Sequence, residues 1–346
     1  METIVKGKKA RLGDALGRSG LATAALKLAP SVRQGLLVLA YHRVLDIGDE
    51  AVFPGDPELV SASVADFERQ MRFVRKHFSL LSLGEVLDLL KRDAAFPRRS
   101  LVVTFDDGHV DNYTHAFPVL QSLGVPATIF LSTAYIDAPH TSFWFNRVAE
   151  LLFFAPCGPV EVAVLGHATT LGEVEQRRQA TGELLNRLKR EPNERRLAAL
   201  AELEDRLARH VPEEIANRRS ALTWEEVRTM GAARIEFGSH TVSHPILSRL
   251  DEAAIGRELS ASRDRIRACT GQAVDALAYP VGKVDSYDER VIRAAKASGY
   301  RIGLSYETGV NPNPGATLFE LRRLAVERYV SWGHFKAMLS WPGVFA

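Results

Sequence analysis

The chain has 346 residues, a formal net charge of +2, 46% hydrophobic and 25% charged residues, and two cysteines, Cys157 and Cys269. This is globular composition with room for a large core, in two ordinary domains or in one α/β barrel with an insertion. It excludes a disulfide framework or a cysteine-held metal, fits a reducing compartment, and carries too little charge to argue for a nucleic-acid partner.

Residues 1–34 read as a basic helical extension. Lys6, Lys8, Lys9, Arg11, Arg18 and Lys27 are interleaved with Leu and Ala. Such a helix either rests on an anionic membrane surface, as a peripheral contact, or packs on the domain with its charges in water. Lys27 and Arg33 interrupt the apolar stretches, and Gly35–Tyr41 is too short to span a bilayer. No cleaved signal and no transmembrane helix is expected, which points to the cytoplasm or the inner face of the membrane.

Residues 35–346 carry seven short apolar runs that predict buried strands: Leu36–Tyr41, Leu101–Phe105, Ala127–Leu131, Ile235–Gly238, Ala276–Tyr279, Tyr300–Leu304 and Leu321–Val326. Apolar residues at i, i+3/i+4 spacing predict helices over Ala65–His77, Leu83–Arg92 and Ala253–Cys269. Strands alternating with helices favour a parallel (β/α) barrel, with catalytic groups at the strand C-terminal ends. From about 139 to 217 the rhythm breaks. Glu173–Leu188 and Glu194–Val211 read as exposed helices, and Val160–Leu165 as one short strand. This region is expected to be a helical insertion beside the barrel mouth, either shaping a cleft or forming a solvated cap.

Two motifs carry chemistry. In Val103-Thr104-Phe105-Asp106-Asp107-Gly108 a strand runs into adjacent carboxylates, which repel unless a cation sits beside them. Asp-Gly also ends strands as a plain turn. In Ser239-His240-Thr241-Val242-Ser243-His244 two histidines lie four apart after another strand. On a helical turn they would face one way and grip one divalent ion, for which imidazole suits zinc. One Asp and two His leave positions open for water and substrate, the pattern of a catalytic metal.

Thr-Phe-Asp-Asp-Gly followed by Ser-His-Thr-x-x-His resembles the polysaccharide deacetylase family (NodB homology, carbohydrate esterase family 4), over roughly Leu36 to Val330. The resemblance implies a distorted (β/α) barrel of NodB type, a site for a divalent metal, usually Zn2+, on Asp107, His240 and His244, and Asp106 as general base. Ala278-Tyr279-Pro280-Val281-Gly282 resembles the family's cleft-lining Arg-x-Pro-Tyr-Gly segment. It implies Tyr279 and Pro280 as cleft residues and the Val281 N–H as oxyanion donor. Ala278 stands where many members have Arg, and Arg323 is expected to supply the missing charge beside Asp106. Tyr41-His42-Arg43-Val44 is similar to the exopolysaccharide deacetylase branch, which implies His42 as general acid; His334 is the later alternative. The implied reaction removes the N-acetyl group from N-acetylhexosamine units of a polysaccharide, oligosaccharide or glycan precursor. Two rivals stand beside it: an amidohydrolase or deformylase acting on another acylated amino sugar, and a carbohydrate-binding protein without catalysis. A base beside a metal site argues against the second.

Overall fold

Each of the seven apolar runs becomes a strand: β1 (Leu36–Tyr41), β2 (Ser100–Phe105), β3 (Ala127–Leu131), β4 (Ile235–Ser239), β5 (Ala276–Ala278), β6 (Ile302–Thr308) and β7 (Leu321–Ala325). Strands next in sequence are next in space, all parallel, and β1 pairs with both β2 and β7, so the sheet closes into a seven-stranded barrel. A short strand at Ser79–Leu80 joins alongside the first residues of β2. The computed structural model describes residues 2–19, 21–26 and 35–345, without the side chains of residues 2–6, 9 and 24.

The strand period sorts the core into two layers. Leu36 and Val38 join Val102, Phe130, Ile302 and Leu304 in one cluster, while Leu37, Leu39 and Tyr41 join Leu101, Val103 and Phe105 in the other, larger one. Where both faces are covered, as along β1, β2 and β3, the strand is buried throughout and reads as a mainly apolar run rather than an alternation, whereas β7 carries Arg322 outward between buried residues.

The helices used below are α1 (Glu2–Arg18), α2 (Val64–His77), α3 (Leu83–Lys91), α4 (Trp144–Phe154), α5 (Val174–Leu188), α6 (Asn193–Leu207), α7 (Glu252–Thr270) and α8 (Trp332–Ser340). Ser63 caps α2, and Ser82 with Glu85 forms a capping box on α3. Leu83, Val86 and Leu87 of α3 belong to the smaller cluster, which it shares with residues of β1, β2, β6 and β7. The basic extension is docked: α1 crosses α8 where Gly17 and Gly333 leave no room for a Cβ, and Ser331 Oγ donates to Asp14 Oδ1 at 2.7 Å. Of its expected cations, Lys27 and the side chains of Lys6 and Lys9 lie outside the described residues. No helix among the described residues is long and apolar enough to cross a membrane.

Between β3 and β4 lie α4, α5, α6 and a two-stranded hairpin, Gly158–Val162 with His167–Leu171. The sequence signalled only the first of those strands. Nor are α5 and α6 simply exposed: Ala180, Leu184, Leu185 and Leu188 of α5 and Ala199, Leu203 and Leu207 of α6 are buried. Charged residues around that apolar stripe hide it in the composition.

Candidate metal and catalytic site

Strand register sets the site. Tyr41 pairs with Phe105, so the residues that follow, His42 and Asp106, emerge side by side, and Asp106 N–H donates to Tyr41 O at 2.9 Å. Leu131 pairs with Ser239, and the next residue, His240, donates its N–H to Leu131 O at 2.9 Å. After the carboxylates the chain turns at Gly108, where φ is +85° and a Cβ would meet Leu131 Cδ2 at 2.8 Å. Only glycine satisfies both conditions.

Asp107, His240 and His244 are buried, and one donor atom from each lies within 4.8 Å of the others. Asp107 Oδ1 is 3.5 Å from His240 Nε2 and 3.3 Å from His244 Nε2, yet has no hydrogen-bond partner. Two imidazole nitrogens converging on an orphaned carboxylate oxygen fit a small divalent cation. His240 Nδ1 lies 2.8 Å from Ala278 O; a proton held there leaves Nε2 as a lone pair facing the cluster. Burial, with the nearby His244, brings the His240 imidazole down to about 4, so it is neutral, the form that ligates. Burial pushes the Asp107 carboxyl up, but the adjacent His109 and His244 outweigh it and hold the group well below the usual carboxylate range.

The two histidines do not sit on a helical turn. Thr241 and His244 have φ of +71° and +54°, and no helix includes them. Glu258 of α7 fastens this loop: its carboxylate accepts from Val242 N at 2.7 Å, Ser243 N at 3.0 Å and Ser243 Oγ at 2.7 Å. Of the seven non-glycine residues with positive φ among the described residues, four are Asp107, Thr241, His244 and Val281. Backbone strain is thus concentrated at this site, as at many functional centres.

Asp106 is gripped by Arg323, whose NH1 and NH2 donate to Oδ1 and Oδ2 at 2.7 and 2.8 Å. Arg323 lies on β7, not on the segment where the related motif places its arginine, and is 1% exposed. Burial raises the Asp106 carboxyl, but Arg323 and the neighbouring histidines pull it below its ordinary value. His42 Nε2 is 4.0 Å from Asp106 Oδ2, and its ring lies 5.4 Å from that of Tyr306. Ser61 Oγ accepts from His42 N–H at 2.9 Å and Asn112 Nδ2 donates to His42 O at 2.8 Å, which fixes the backbone carrying the ring. Burial lowers the His42 imidazole below its ordinary value.

A cavity of about 650 Å³ opens over these groups. Its lining includes His42, Asp106, Asp107, His240, His244 and Val281, and the insertion contributes Trp144, Phe145, Asn186, Lys189 and Arg190. The insertion therefore forms part of the cleft wall. Val281 holds a φ of +65°, an outlier for a β-branched residue, and its N–H has no hydrogen-bond partner among the described residues. Tyr279 and Pro280, expected in the cleft, are buried beneath it. Tyr279 stacks on Tyr287 at 4.3 Å and donates its hydroxyl to Phe319 O, so the ring serves the core. His334 is also elsewhere, with Nε2 2.9 Å from Phe345 O.

Four contributors were not assigned a site role from the sequence. Tyr306 lines the cleft beside His42. Trp144 Nε1 donates to His244 O at 3.1 Å, and Arg196 NH1 reaches the same carbonyl at 3.4 Å. His109 Nε2 lies 3.2 Å from Asp107 Oδ2. Only His109, two residues beyond a ligand in the motif itself, had a local signal.

A family model described as polysaccharide deacetylase matches residues 93–303, more than half of the chain. A Staphylococcus epidermidis protein named poly-beta-1,6-N-acetyl-D-glucosamine N-deacetylase is 35% identical over 113 residues, a match spanning 31% of this chain and 39% of that protein. Among solved structures, the Streptococcus pyogenes deacetylase PplD in complex with acetate superposes with a TM-score of 0.59 at 17% identity, over 91% of this chain and 99% of that one. IcaB from Ammonifex degensii gives 0.55 at 19% identity, over 89% and 97%. At such identities the two structures establish the common fold.

Proposed function

The chain belongs to the polysaccharide deacetylase family, and from that premise and the geometry of the site we propose that it hydrolyses the acetamido group of N-acetylhexosamine units in a polysaccharide, oligosaccharide or glycan precursor. The observation that carries the reading is the convergence of Asp107 Oδ1, His240 Nε2 and His244 Nε2 beside an Asp106 that takes no part in the cluster and is held by Arg323. The three ligands suit zinc, which when bound would polarise the acetamido carbonyl and acidify a water.

The chain's own groups divide the rest of the work. Asp106, ionised and fixed at both oxygens, takes the proton from the attacking water. Arg323 orients that carboxylate and keeps it charged in a buried setting. The unpaired Val281 N–H donates to the oxygen that gains charge as the carbonyl carbon becomes tetrahedral. His42, with Nε2 4.0 Å from Asp106 Oδ2, is placed to pass the proton that Asp106 takes from water to the departing nitrogen, giving acetate and a free amine. Tyr306 packs beside His42 and limits its freedom.

The test is acetate release from a panel of N-acetylated glycans and precursors, using protein stripped of metal and then reloaded with zinc. Zinc-dependent release is expected, and His240→Ala should lose both bound zinc and turnover. A fully active His240→Ala protein free of metal would sink the scheme. Zinc bound at one equivalent without acetate release would move the reaction to another acyl group.

A further inference from the structure

His109 is fully buried, and no step proposed above employs it. Its Nε2 lies 3.2 Å from Asp107 Oδ2, and its Nδ1 has no hydrogen-bond partner among the described residues. An ionised carboxylate only accepts hydrogen bonds, so the proton of a neutral His109 ring sits on Nε2 and points at Oδ2. Aromatic rings from the start of the insertion surround the imidazole: Phe143 at 4.5 Å and Phe145 at 6.5 Å between centroids. A phenyl ring would suit that cage and strand no nitrogen. Burying an unsatisfied Nδ1 makes sense only if the other nitrogen is needed.

The two oxygens of Asp107 are thereby made unequal. Oδ2 is occupied by His109, while Oδ1 has no partner and faces His240 and His244. We propose that His109 is a positioning residue that holds Asp107 Oδ2, so that the carboxylate presents Oδ1 alone to a divalent cation. This rests on the metal reading above. It also ties the insertion to the metal centre, since Phe143 and Phe145 keep the His109 ring in place.

The experiment measures zinc affinity of the full chain by competition with a chromogenic chelator, without substrate. The variants are His109→Phe and His109→Leu, which cannot donate, and His109→Gln, which can. Removing such an outer hydrogen bond typically weakens metal binding by about 10–100-fold. The expected result is a loss in that range for both non-donors, with most of it recovered in His109→Gln, while circular dichroism and melting of the metal-free proteins stay close to wild type. Wild-type affinity in His109→Phe or His109→Leu would overturn the proposal alone. Equal weakening in all three variants would also overturn it, because shape rather than the donated proton would then matter. If the wild-type chain takes up no zinc, the metal reading falls and this proposal with it.

Discussion

The barrel rim and the insertion reach the same cleft by different routes. The rim supplies charged and titratable groups at strand ends, and strand order places them: His42 beside Asp106 on neighbouring strands, and His240, one strand beyond β3, within 3.5 Å of Asp107. The insertion supplies no ligand and no base. It contributes support: Phe143 and Phe145 around His109 and Trp144 and Arg196 on the His244 carbonyl. Chemistry that needs a particular side chain at a strand end leaves a short motif, whereas support can come from any element able to reach. If this division is right, variants on the rim should abolish turnover or stability, and variants in the insertion should only tune metal affinity.

The largest effect is expected at the base. Asp106→Asn keeps the size of the side chain but cannot accept the water's proton and leaves Arg323 without its counter-charge, so kcat of the folded variant should fall by about 10²–10⁴-fold, the range for a lost general acid or base. Zinc content should stay at the wild-type level, because Asp106 is not among the clustered ligands. A variant that lost its zinc as well would show Asp106 to be part of the metal centre and would break the proposed division between the two carboxylates.

Next is the buried pair. Replacing one partner leaves the other charge unpaired, which destabilises proteins by about 3–5 kcal/mol. Arg323→Met should therefore unfold at markedly lower urea than wild type. The sign of its pH dependence follows from Asp106, whose carboxyl lies below its ordinary value of 3.8 in the folded chain. The stabilisation from that depressed group is complete above the unfolded value and is lost as pH falls through the folded one. The gap between wild type and Arg323→Met should thus be full near neutrality and shrink below about pH 4. A gap unchanged on acidification would mean that the pair is not what holds Arg323 in the core.

How much of this could be read from the sequence follows the same line. The barrel strands were legible because parallel strands covered on both faces are mostly apolar runs, even where β4 and β7 carry a charged residue, and Asp106, Asp107, His240 and His244 were legible because they follow such runs closely. Arg323 was foreseen from the alanine at 278, a charge missed in one place and sought in another. The conformation of residues 240–244 was not legible, because Thr241 and His244 take positive φ without being glycine and the loop is held by Glu258, a distant residue on α7. Tyr279 misled for the opposite reason: its motif suggested a cleft residue, but a stacking partner at Tyr287 and an acceptor at Phe319 hold it in the core. Trp144 and Arg196 had no local signal, since nothing in the first turn of α4 or α6 hints that an indole or guanidinium there will meet a carbonyl on another loop.

The smallest expected effect is the one that tests the insertion's side of the comparison. Trp144→Phe keeps a ring beside Phe145 and beneath Arg196, which lies 4.9 Å over the Trp144 ring, so packing is largely preserved. What disappears is the indole N–H donated to His244 O. A single hydrogen bond is worth about 1 kcal/mol net, so full transmission to the ligand predicts roughly fivefold weaker zinc binding. Turnover of the zinc-saturated variant should match wild type, because none of the groups that move protons is changed. Weaker zinc binding with unchanged saturated turnover would establish that the insertion tunes the metal centre through His244. Unchanged affinity would reduce the insertion at this point to a wall of the cleft. A large loss of saturated turnover would place Trp144 among the groups that contact the substrate, and the line drawn here between rim and insertion would have to move.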